Sequence, residues 1–352
     1  MKPTTRVAVC LLALSLLFAT GPSIPPVAAA SRSVTLVAYD SFAPSKGIFD
    51  DFTTRTGIKV KVVTAGDGGE LVNKAILTKD APLGDVLWGV DNTFLSRALT
   101  EKIFVDYVPA GRSAIDKRFR TVAGSKAVTP VDYGDVCVNF DRAALAKAGV
   151  AAPKNFDDLA LPRYRGMLVV ENPATSSPGL AFLLGTITRY GRPAWRGYWA
   201  KLRANGVKVV DGWDAAYNTE FSAGGGGGKR PLVVSYGSSP PAAVLFGPDP
   251  KASVSPIGVA AGTCFRQIEF AGVLRNAKHQ PEARALIDEL IGPRFQADLA
   301  LSMFVYPVRS DVALPPLFTK FAVVPAKPAT MTPADIARGR DGWIDEWTDL
   351  VL

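Results

Sequence analysis

The residue types best suited to hold a small molecule gather around one predicted strand and the helix before it. Trp213 precedes a short helix introduced by Asp214, and Tyr217 lies on the first turn of that helix. A strand at 231–235 then delivers Tyr236 to its carboxyl end, where serines open the next loop. Ligands of open α/β sheets bind beyond the carboxyl ends of strands. The pattern predicts a site for a flat, partly polar molecule. The alternative is that these aromatics pack a helix and a strand against the core.

Two further segments place helix starts directly after predicted strands. They are residues 66–70 and 176–179. The free backbone N–H groups of a helix start bind anions, helped by the helix dipole. Ser176 and Ser177 add hydroxyl donors, and we expect Ser177 to be the N-cap with Pro178 at the first helical position. The alternative is ordinary helix capping without a ligand.

The residues that common hydrolytic and metal-dependent enzymes need are scarce here. His279 is the single histidine, and its polar surroundings contain no nucleophile or zinc motif. Histidines and cysteines are thus too few to build a metal site from these residue types, whereas a metal site built from carboxylates remains possible. The glycine run 224–228 fails as a P-loop, because Ala223 takes the first glycine position and Arg230 the Ser/Thr position. We expect a flexible loop tip there, no catalytic residue and no bound metal.

The first thirty residues predict a secretory signal peptide, cut after Ala30. Lys2 and Arg6 form a positive start, residues 7–19 are apolar, and residues 28–30 form an A-x-A cleavage site. A transmembrane anchor is the rival interpretation, but the apolar segment is too short and prolines follow it. We therefore expect an exported protein that is soluble outside the cytoplasm.

The length and charge of the chain indicate its domain number and its class of partner. A chain of 352 residues is long for one core and natural for two domains. The formal net charge is +8, but the basic residues are scattered and form no stripe interleaved with aromatics. Such a distribution favours solubility, and no nucleic-acid partner is expected.

Strands and helices alternate in the order that builds parallel sheets, so the predicted fold class is α/β. The first unit has expected strands at 34–39, 58–63 and 85–90. A second unit has expected strands at 136–140, 162–170, 207–210 and 231–235. The chain then returns through a strand at 264–273, a helix from Pro281 to Phe304, and a C-terminal helix that starts at Thr332.

Two cysteines follow the signal peptide, Cys137 and Cys264. An even pair in an exported protein is a disulfide candidate. The pair is far apart in sequence, so the fold would have to bring two distant segments together. The alternative is two small buried hydrophobic side chains.

An ordered set of segments resembles the thiamine-binding periplasmic proteins over nearly the whole exported chain. The segments are Tyr39-Asp40-Ser41-Phe42, Gly66-Asp67-Gly68, 85–92, Asp132-Tyr133-Gly134, 175–180, Gly212-Trp213 with Ala216-Tyr217, Ser235-Tyr236 with Ser239-Pro240, and Tyr306-Pro307-Val308. The closing Gly342-Trp343-Ile344 with Glu346-Trp347 resembles the C-terminal helix of that family. Each motif is common by itself, and the order makes the set specific.

The resemblance implies a two-lobe type II periplasmic binding protein fold with hinge strands. The implied division is a signal peptide at 1–30, a first segment of lobe 1 at 31–130, lobe 2 at 131–265, and a return to lobe 1 with C-terminal helices at 266–352. Both cysteines fall at or just past the expected crossings, so a disulfide would span the hinge. The implied function is the solute-binding component of an ABC importer, a monomer without cofactor. It would capture thiamine, or its monophosphate or diphosphate, and deliver it to a membrane permease.

Site residues carry over by position in this sequence. Tyr39, Trp213 and Tyr236 would line the aromatic part of the pocket, together with Tyr217. Family members commonly have a tryptophan just before the Tyr-Pro-Val motif, and here that position is Phe304.

The polar end of the pocket is assigned in the same way. The backbone at Asp67 and Gly68, with Ser176 and Ser177, would hold the hydroxyl or phosphate end of the ligand. The thiazolium ring of thiamine carries a fixed positive charge, which each aromatic face attracts by about 0.5–2 kcal/mol. Asp40, Asp67 and Asp91, at predicted strand ends, would add complementary charge.

Two other classes stay open from the residues alone. An iron(III) or polyamine binder of the same fold is one, and Tyr39, Tyr133, Tyr217 and Tyr236 are the tyrosines that iron would need. An exported phosphatase acting on thiamine esters is the other.

Overall fold

The computed structural model describes residues 32–352, and the signal peptide predicted for residues 1–30 lies outside them. The strands are β1 (Arg32–Ala38), β2 (Ile58–Thr64), β3 (Val86–Asp91), β4 (Thr129–Asp141), β5 (Leu168–Glu171), β6 (Lys208–Val210), β7 (Leu232–Tyr236), β8 (Ile257–Val273) and β9 (Tyr306–Pro307). The helices are α1 (Asp50–Thr56), α2 (Gly68–Leu77), α3 (Leu95–Thr100), α4 (Arg142–Lys147), α5 (Phe156–Leu159), α6 (Ser177–Tyr190), α7 (Ala194–Ala204), α8 (Pro240–Leu245), α9 (Gln280–Leu290), α10 (Pro293–Ser302), α11 (Pro316–Phe321) and α12 (Pro333–Val351).

One mixed sheet runs through these residues in the order β2-β1-β3-β8-β4-β7-β5-β6, and β9 pairs with β4. β1 pairs in parallel with β2 and β3, and β5 pairs in parallel with β6 and β7. The long strands β4 and β8 lie antiparallel between the two groups. We call the part built on β1–β3 the first lobe and the part built on β5–β7 the second lobe. The predicted α/β class and two-lobe fold with hinge strands are confirmed.

Strand burial follows from position in the sheet. β3 is buried along its whole length, as expected for a strand with neighbours on both sides and helices on its faces. β2 lies at the sheet edge, and most of it is exposed. Lys59 and Lys61 on this strand discourage pairing with another chain.

The pairing of β4 with β8 carries a disulfide. Cys137 on β4 is bonded to Cys264 on β8. The register breaks next to Cys137, and β8 bulges there. The hydroxyl of Thr263, inside the bulge, accepts a hydrogen bond of 2.8 Å from the backbone N–H of Val138. The disulfide interpretation is therefore confirmed, and the alternative of two unlinked buried thiols is wrong.

Some elements differ from the sequence expectation. The helix expected from Pro281 to Phe304 is two helices, α9 and α10, because Pro293 after Gly292 lacks the N–H that a continuous helix would need. The strand expected at 162–170 begins with a short 3₁₀-helix and becomes a strand only at Leu168.

Helix α7 was not anticipated, although its apolar residues recur at helical spacing. Trp195, Tyr198, Trp199 and Leu202 are all buried. Trp199 meets Trp347 of α12 edge to face at 5.4 Å. The buried apolar residues of α12, Trp347 among them, therefore pack in the core. Among residues 32–352, no helix combines the length and apolarity needed to cross a membrane.

Removing the disulfide should lower stability mainly by freeing the unfolded chain. Its cysteines are 127 residues apart, for which the chain-entropy model gives about 4–5 kcal/mol. We expect the double variant Cys137→Ala/Cys264→Ala to lose roughly that much unfolding free energy in urea titrations. A reductant should lower the wild-type midpoint and leave that of the variant unchanged. A wild-type midpoint that does not move after verified reduction would contradict the prediction.

Candidate functional site

A cavity of about 720 Å³, continuous with solvent, lies where the two lobes face each other. Most of the predicted site residues line it: Tyr39, Asp67, Gly68, Ser177, Trp213, Tyr217, Tyr236 and Phe304. The predicted residues Asp40, Asp91 and Ser176 do not.

Aromatic rings form the wall of the cavity on the second lobe. Trp213 stacks on Tyr217, with ring centroids 4.9 Å apart and planes inclined by 16°. The indole Nε1–H of Trp213 donates to Ser235 Oγ at 2.9 Å, which fixes the orientation of the ring. Tyr217 in turn packs against Phe221 in the core. One face of Trp213 is therefore supported by the protein, and the stacked pair presents a rigid aromatic surface to a ligand.

The helix that carries these rings starts differently from the expectation. The carboxylate of Asp214 accepts from Asn218 Nδ2 at 2.7 Å and caps no backbone N–H. The segment Ala215–Glu220 is a π-helix, a form that is rare and frequent at functional sites. The glycine run after it folds back on this helix, and a side chain at Gly224 would overlap the carbonyl oxygen of Tyr217. The run precedes β7, so it is no phosphate loop.

Asp67 joins the start of α2 to the second lobe. Its Oδ1 accepts from the N–H of Gly68 at 2.5 Å and caps α2. Its Oδ2 accepts from the N–H of Trp213 at 2.8 Å. Burial raises the pKa of Asp67, and its hydrogen bonds from Trp213, Gly68 and Ser176 oppose that rise. The carboxylate of Asp67 is thus the anion that these backbone groups bind.

The N-terminus of α6 is capped one residue earlier than predicted. Ser176, which is buried, accepts from the N–H of Gly179 at 3.4 Å, so Ser177 is the first helical residue and Pro178 the second. The expectation that Ser177 is the N-cap is wrong. Within residues 32–352, the buried hydroxyl of Ser177 has no hydrogen-bond partner. It lines the cavity and is a polar group that a ligand can satisfy.

The two helix starts touch across the lobes. The N–H of Glu70 donates to the carbonyl oxygen of Thr175 at 3.0 Å. A Cβ atom added to Gly68 would overlap the Ser177 hydroxyl and lie 2.9 Å from its Cβ. A Cβ atom added to Gly69 would lie 2.7 Å from the carbonyl oxygen of Thr175. Glycine is required here because the lobes are closed on one another.

Two predicted acidic residues stabilise loops instead of lining the cavity. Asp40 accepts from the N–H of Gly66 at 2.9 Å. Asp91 is fully buried, and its carboxylate accepts from Thr93, from the N–H of Phe94 and from Gln267. Burial raises the pKa of Asp91 to about 6.

The acidic residue that does line the cavity is Glu269, which sequence reasoning missed. Its Oε2 accepts from Tyr39 Oη at 3.0 Å and from Trp88 Nε1 at 3.3 Å. Burial and then the charge of Asp91 raise its pKa to about 7. A sequence signal existed, since Glu269 stands between Ile268 and Phe270 in a predicted strand, and a carboxylate buried there needs a partner or a function.

Phe304 and His279 take contrasting places. Phe304 lines the cavity with a positive φ of 54°, and its ring meets the exposed Phe246 edge to face at 5.8 Å. Aromatic residues rarely adopt this backbone region, so a packed environment must hold it. His279 does not line the cavity, and its Nδ1 lies 3.2 Å from Asp85 Oδ2. No group of three His, Cys, Asp or Glu residues in the described chain is arranged to hold a metal ion.

Comparisons with known proteins agree with this architecture. A profile of the bacterial extracellular solute-binding protein family matches residues 81–323. The thiamine-binding periplasmic protein of Salmonella typhimurium strain LT2 is 30% identical over 323 residues, which cover 89% of this chain and 92% of that protein.

Solved structures give the same picture. The structure titled periplasmic thiamin binding protein has a TM-score of 0.80 at 26% identity, covering 94% of this chain and 99% of its own. A ferric binding protein from Campylobacter jejuni has a TM-score of 0.70 at 16% identity, covering 90% of this chain and 99% of its own. At that identity, the second likeness shows the fold alone.

The close approach at Gly68 predicts a closure variant. In Gly68→Ala, the added methyl group meets Ser177, so the lobes should stay further apart. We expect small-angle X-ray scattering to show a larger radius of gyration than for wild type. Gly68→Ala/Ser177→Gly should return toward the wild-type value, because it removes the obstructing side chain. Gly197→Ala is the matched control, since a Cβ there meets no atom within 4 Å. A radius for Gly68→Ala equal to that of the control would refute the steric argument.

Proposed function

Because this chain belongs to the bacterial extracellular solute-binding protein family, we propose that it captures thiamine between its lobes and delivers it to the membrane permease of an ABC importer. The observation that carries the proposal is the composition of the interlobe cavity. Stacked aromatic rings form one wall and the carboxyl of Glu269 lies in another. A two-ring organic cation suits that combination, and relatives over most of the chain are named for thiamine.

Binding alone accounts for the residues present. The cationic thiazolium ring gains cation–π attraction from aromatic faces, and the hydroxyethyl tail can bond to the hydroxyl of Ser177. No bond of the ligand has to break, and no cofactor is required. We further propose that the protein acts in the periplasm, the compartment for which its relatives are named, and that it acts as a monomer.

The alternative ligands fit the cavity less well. Tyr133, one of the tyrosines considered for iron, stacks on Tyr306 at 5.0 Å and is covered by Arg266, outside the cavity lining. A polyamine has no ring to use the Trp213 surface. A thiamine-ester phosphatase would release phosphate from thiamine monophosphate, and we expect no release.

Thiamine should bind at one molecule per chain with a Kd below about 10 µM, as a scavenging receptor requires. In Trp213→Ala the ligand loses stacking and cation–π attraction of about 1–3 kcal/mol, so the affinity measured by calorimetry should fall roughly ten- to a hundred-fold. Trp213→Phe should recover much of it. The matched control is Trp343→Ala, which removes a buried tryptophan of α12. It should lower stability and leave the affinity of the folded protein unchanged. Wild-type affinity in Trp213→Ala would disprove the ring site.

Thiamine monophosphate should bind more weakly than thiamine. The backbone N–H of Gly68, which was expected to hold a phosphate, already donates to the carboxylate of Asp67, and the charge of Asp67 would repel a second anion. Asp67→Asn keeps a capping oxygen for Gly68 and removes the charge. We expect this variant to show a smaller difference in affinity between thiamine and thiamine monophosphate when both are measured by calorimetry. Equal affinities in the wild-type protein would show that the phosphate lies elsewhere.

A further inference from the structure

We propose that Glu269 and Asp132 form one acidic pair that recognises the positive charge of the ligand, and that binding of a cation at neutral or lower pH expels a proton from this pair. The inference rests on the proposed function and assigns the pair a role in specificity. Its consequence is that affinity for a permanently cationic ligand weakens as the pH falls.

The pair sits where the hinge strands cross between the lobes. Asp132 on β4 lies directly opposite Glu269 on β8 in the antiparallel register. Asp132 is 1% exposed and Glu269 is 7% exposed. Within the described chain, neither carboxyl oxygen of Asp132 has a hydrogen-bond partner. Two buried carboxyl groups this close cannot both be ionised at modest cost, so they share protons.

The neighbouring strands place hydrogen-bond donors and titratable groups around the pair. Tyr39, directly after β1, donates to Glu269, and β3 contributes Trp88 as a donor and the buried Asp91 as a further negative charge. Tyr236 of β7 lines the same cavity and keeps its proton, because burial raises its pKa. Asp67, at the start of α2, is the remaining acidic group of the lining.

The positively charged side chain of Arg266, also on β8, pairs with a different carboxylate. Arg266 lies an odd number of residues from Glu269 along the strand, so it projects from the opposite face. There its guanidinium bonds to both carboxyl oxygens of Asp135, at 2.6 and 3.1 Å. The cavity side of the crossing is therefore an acidic, largely dehydrated site that a ligand cation can complement.

The pKa directions give the sign of the pH effect. Burial, with Asp91, raises the pKa of Glu269 to about 7, and burial with Glu269 raises that of Asp132 well above its usual range. A bound cation favours the ionised carboxylate. Above about pH 7 Glu269 is already ionised, and affinity should be flat. Below that pH each binding event must release a proton, and affinity should fall by up to tenfold per pH unit.

This arrangement also explains how the cavity tolerates the absence of a ligand. With the proton shared, the pair carries less charge, and the desolvation cost of a buried ion is reduced. When a cation enters, the proton leaves to solvent and the ligand replaces it as the balancing charge. A neutral molecule of the same shape would gain nothing from this exchange, so the pair selects for charge.

The test is calorimetry of thiamine binding between pH 6 and pH 8, in two buffers that differ in ionisation enthalpy. We expect the wild-type affinity to be roughly tenfold lower at pH 6 than at pH 8, with close to one proton released at pH 6 and almost none at pH 8. The proton count needs no variant. Glu269→Gln should bind more weakly at pH 8 and lose the pH dependence. Asp132→Asn should shift the dependence to lower pH.

The control is Glu282→Gln on α9, which removes a carboxylate that pairs with Arg32. It should keep the wild-type pH profile. An affinity that stays constant from pH 6 to pH 8, or that rises toward acid, would overturn the inference while leaving thiamine binding intact. The inference would also be overturned if the affinity of Glu269→Gln kept the pH dependence of the wild-type protein. If thiamine does not bind at any pH, both this inference and the proposed function fail.

Discussion

The antiparallel pairing of β4 with β8 is the interaction on which the rest of the structure depends. β8 pairs with β3 of the first lobe, β4 pairs with β7 of the second lobe, and the two long strands pair with each other. The disulfide between Cys137 and Cys264 fixes the register beside the bulge. Because these strands join the lobes, any opening must be absorbed in or near them. They also carry Asp132 and Glu269, so the proposed charge-recognising pair lies at the junction of the lobes.

Much of this could be predicted from the sequence, for identifiable reasons. Tyr236 could be placed at the cavity because strand ends are readable from apolar runs, and ligands bind at such ends, whereas Tyr39 was assigned to it by resemblance. Trp213 followed from its position at a helix start. The cap of α6 was misplaced by one residue because Ser176 and Ser177 are equally good caps, and only the hydrogen bond to Gly179 decides between them. Glu269 was not predicted as a site residue. Strand pairing brings it to Asp132 and Tyr39, and that pairing cannot be read from the local sequence.

Three acidic residues also show that local sequence does not determine which side chain reaches the other lobe. Asp40, Asp67 and Asp91 all follow predicted strands, and position alone does not distinguish them. In the structure Asp40 and Asp91 satisfy backbone groups of their own lobe, whereas Asp67 bonds across the lobes to Trp213. A short acidic side chain after a strand finds loop N–H groups whenever they are near. Which one reaches the partner lobe is therefore a tertiary property.

The bond from Trp213 to Asp67 ties lobe closure to the shape of the cavity. Asp67 can cap α2 through Gly68 in any lobe arrangement, because both belong to α2 and its cap. Its second bond reaches Trp213 of the second lobe, so this bond requires the lobes to lie close together. That bond holds the backbone of the residue whose indole forms the aromatic wall. A ligand that stacks on Trp213 therefore favours the closed state, and the closed state in turn holds Trp213 in place. A ligand shifts such an equilibrium only by its difference in affinity for the two states. In the proposed complex that difference would arise at Trp213, on the second lobe, and at Glu269, on a hinge strand, both of which line the cavity.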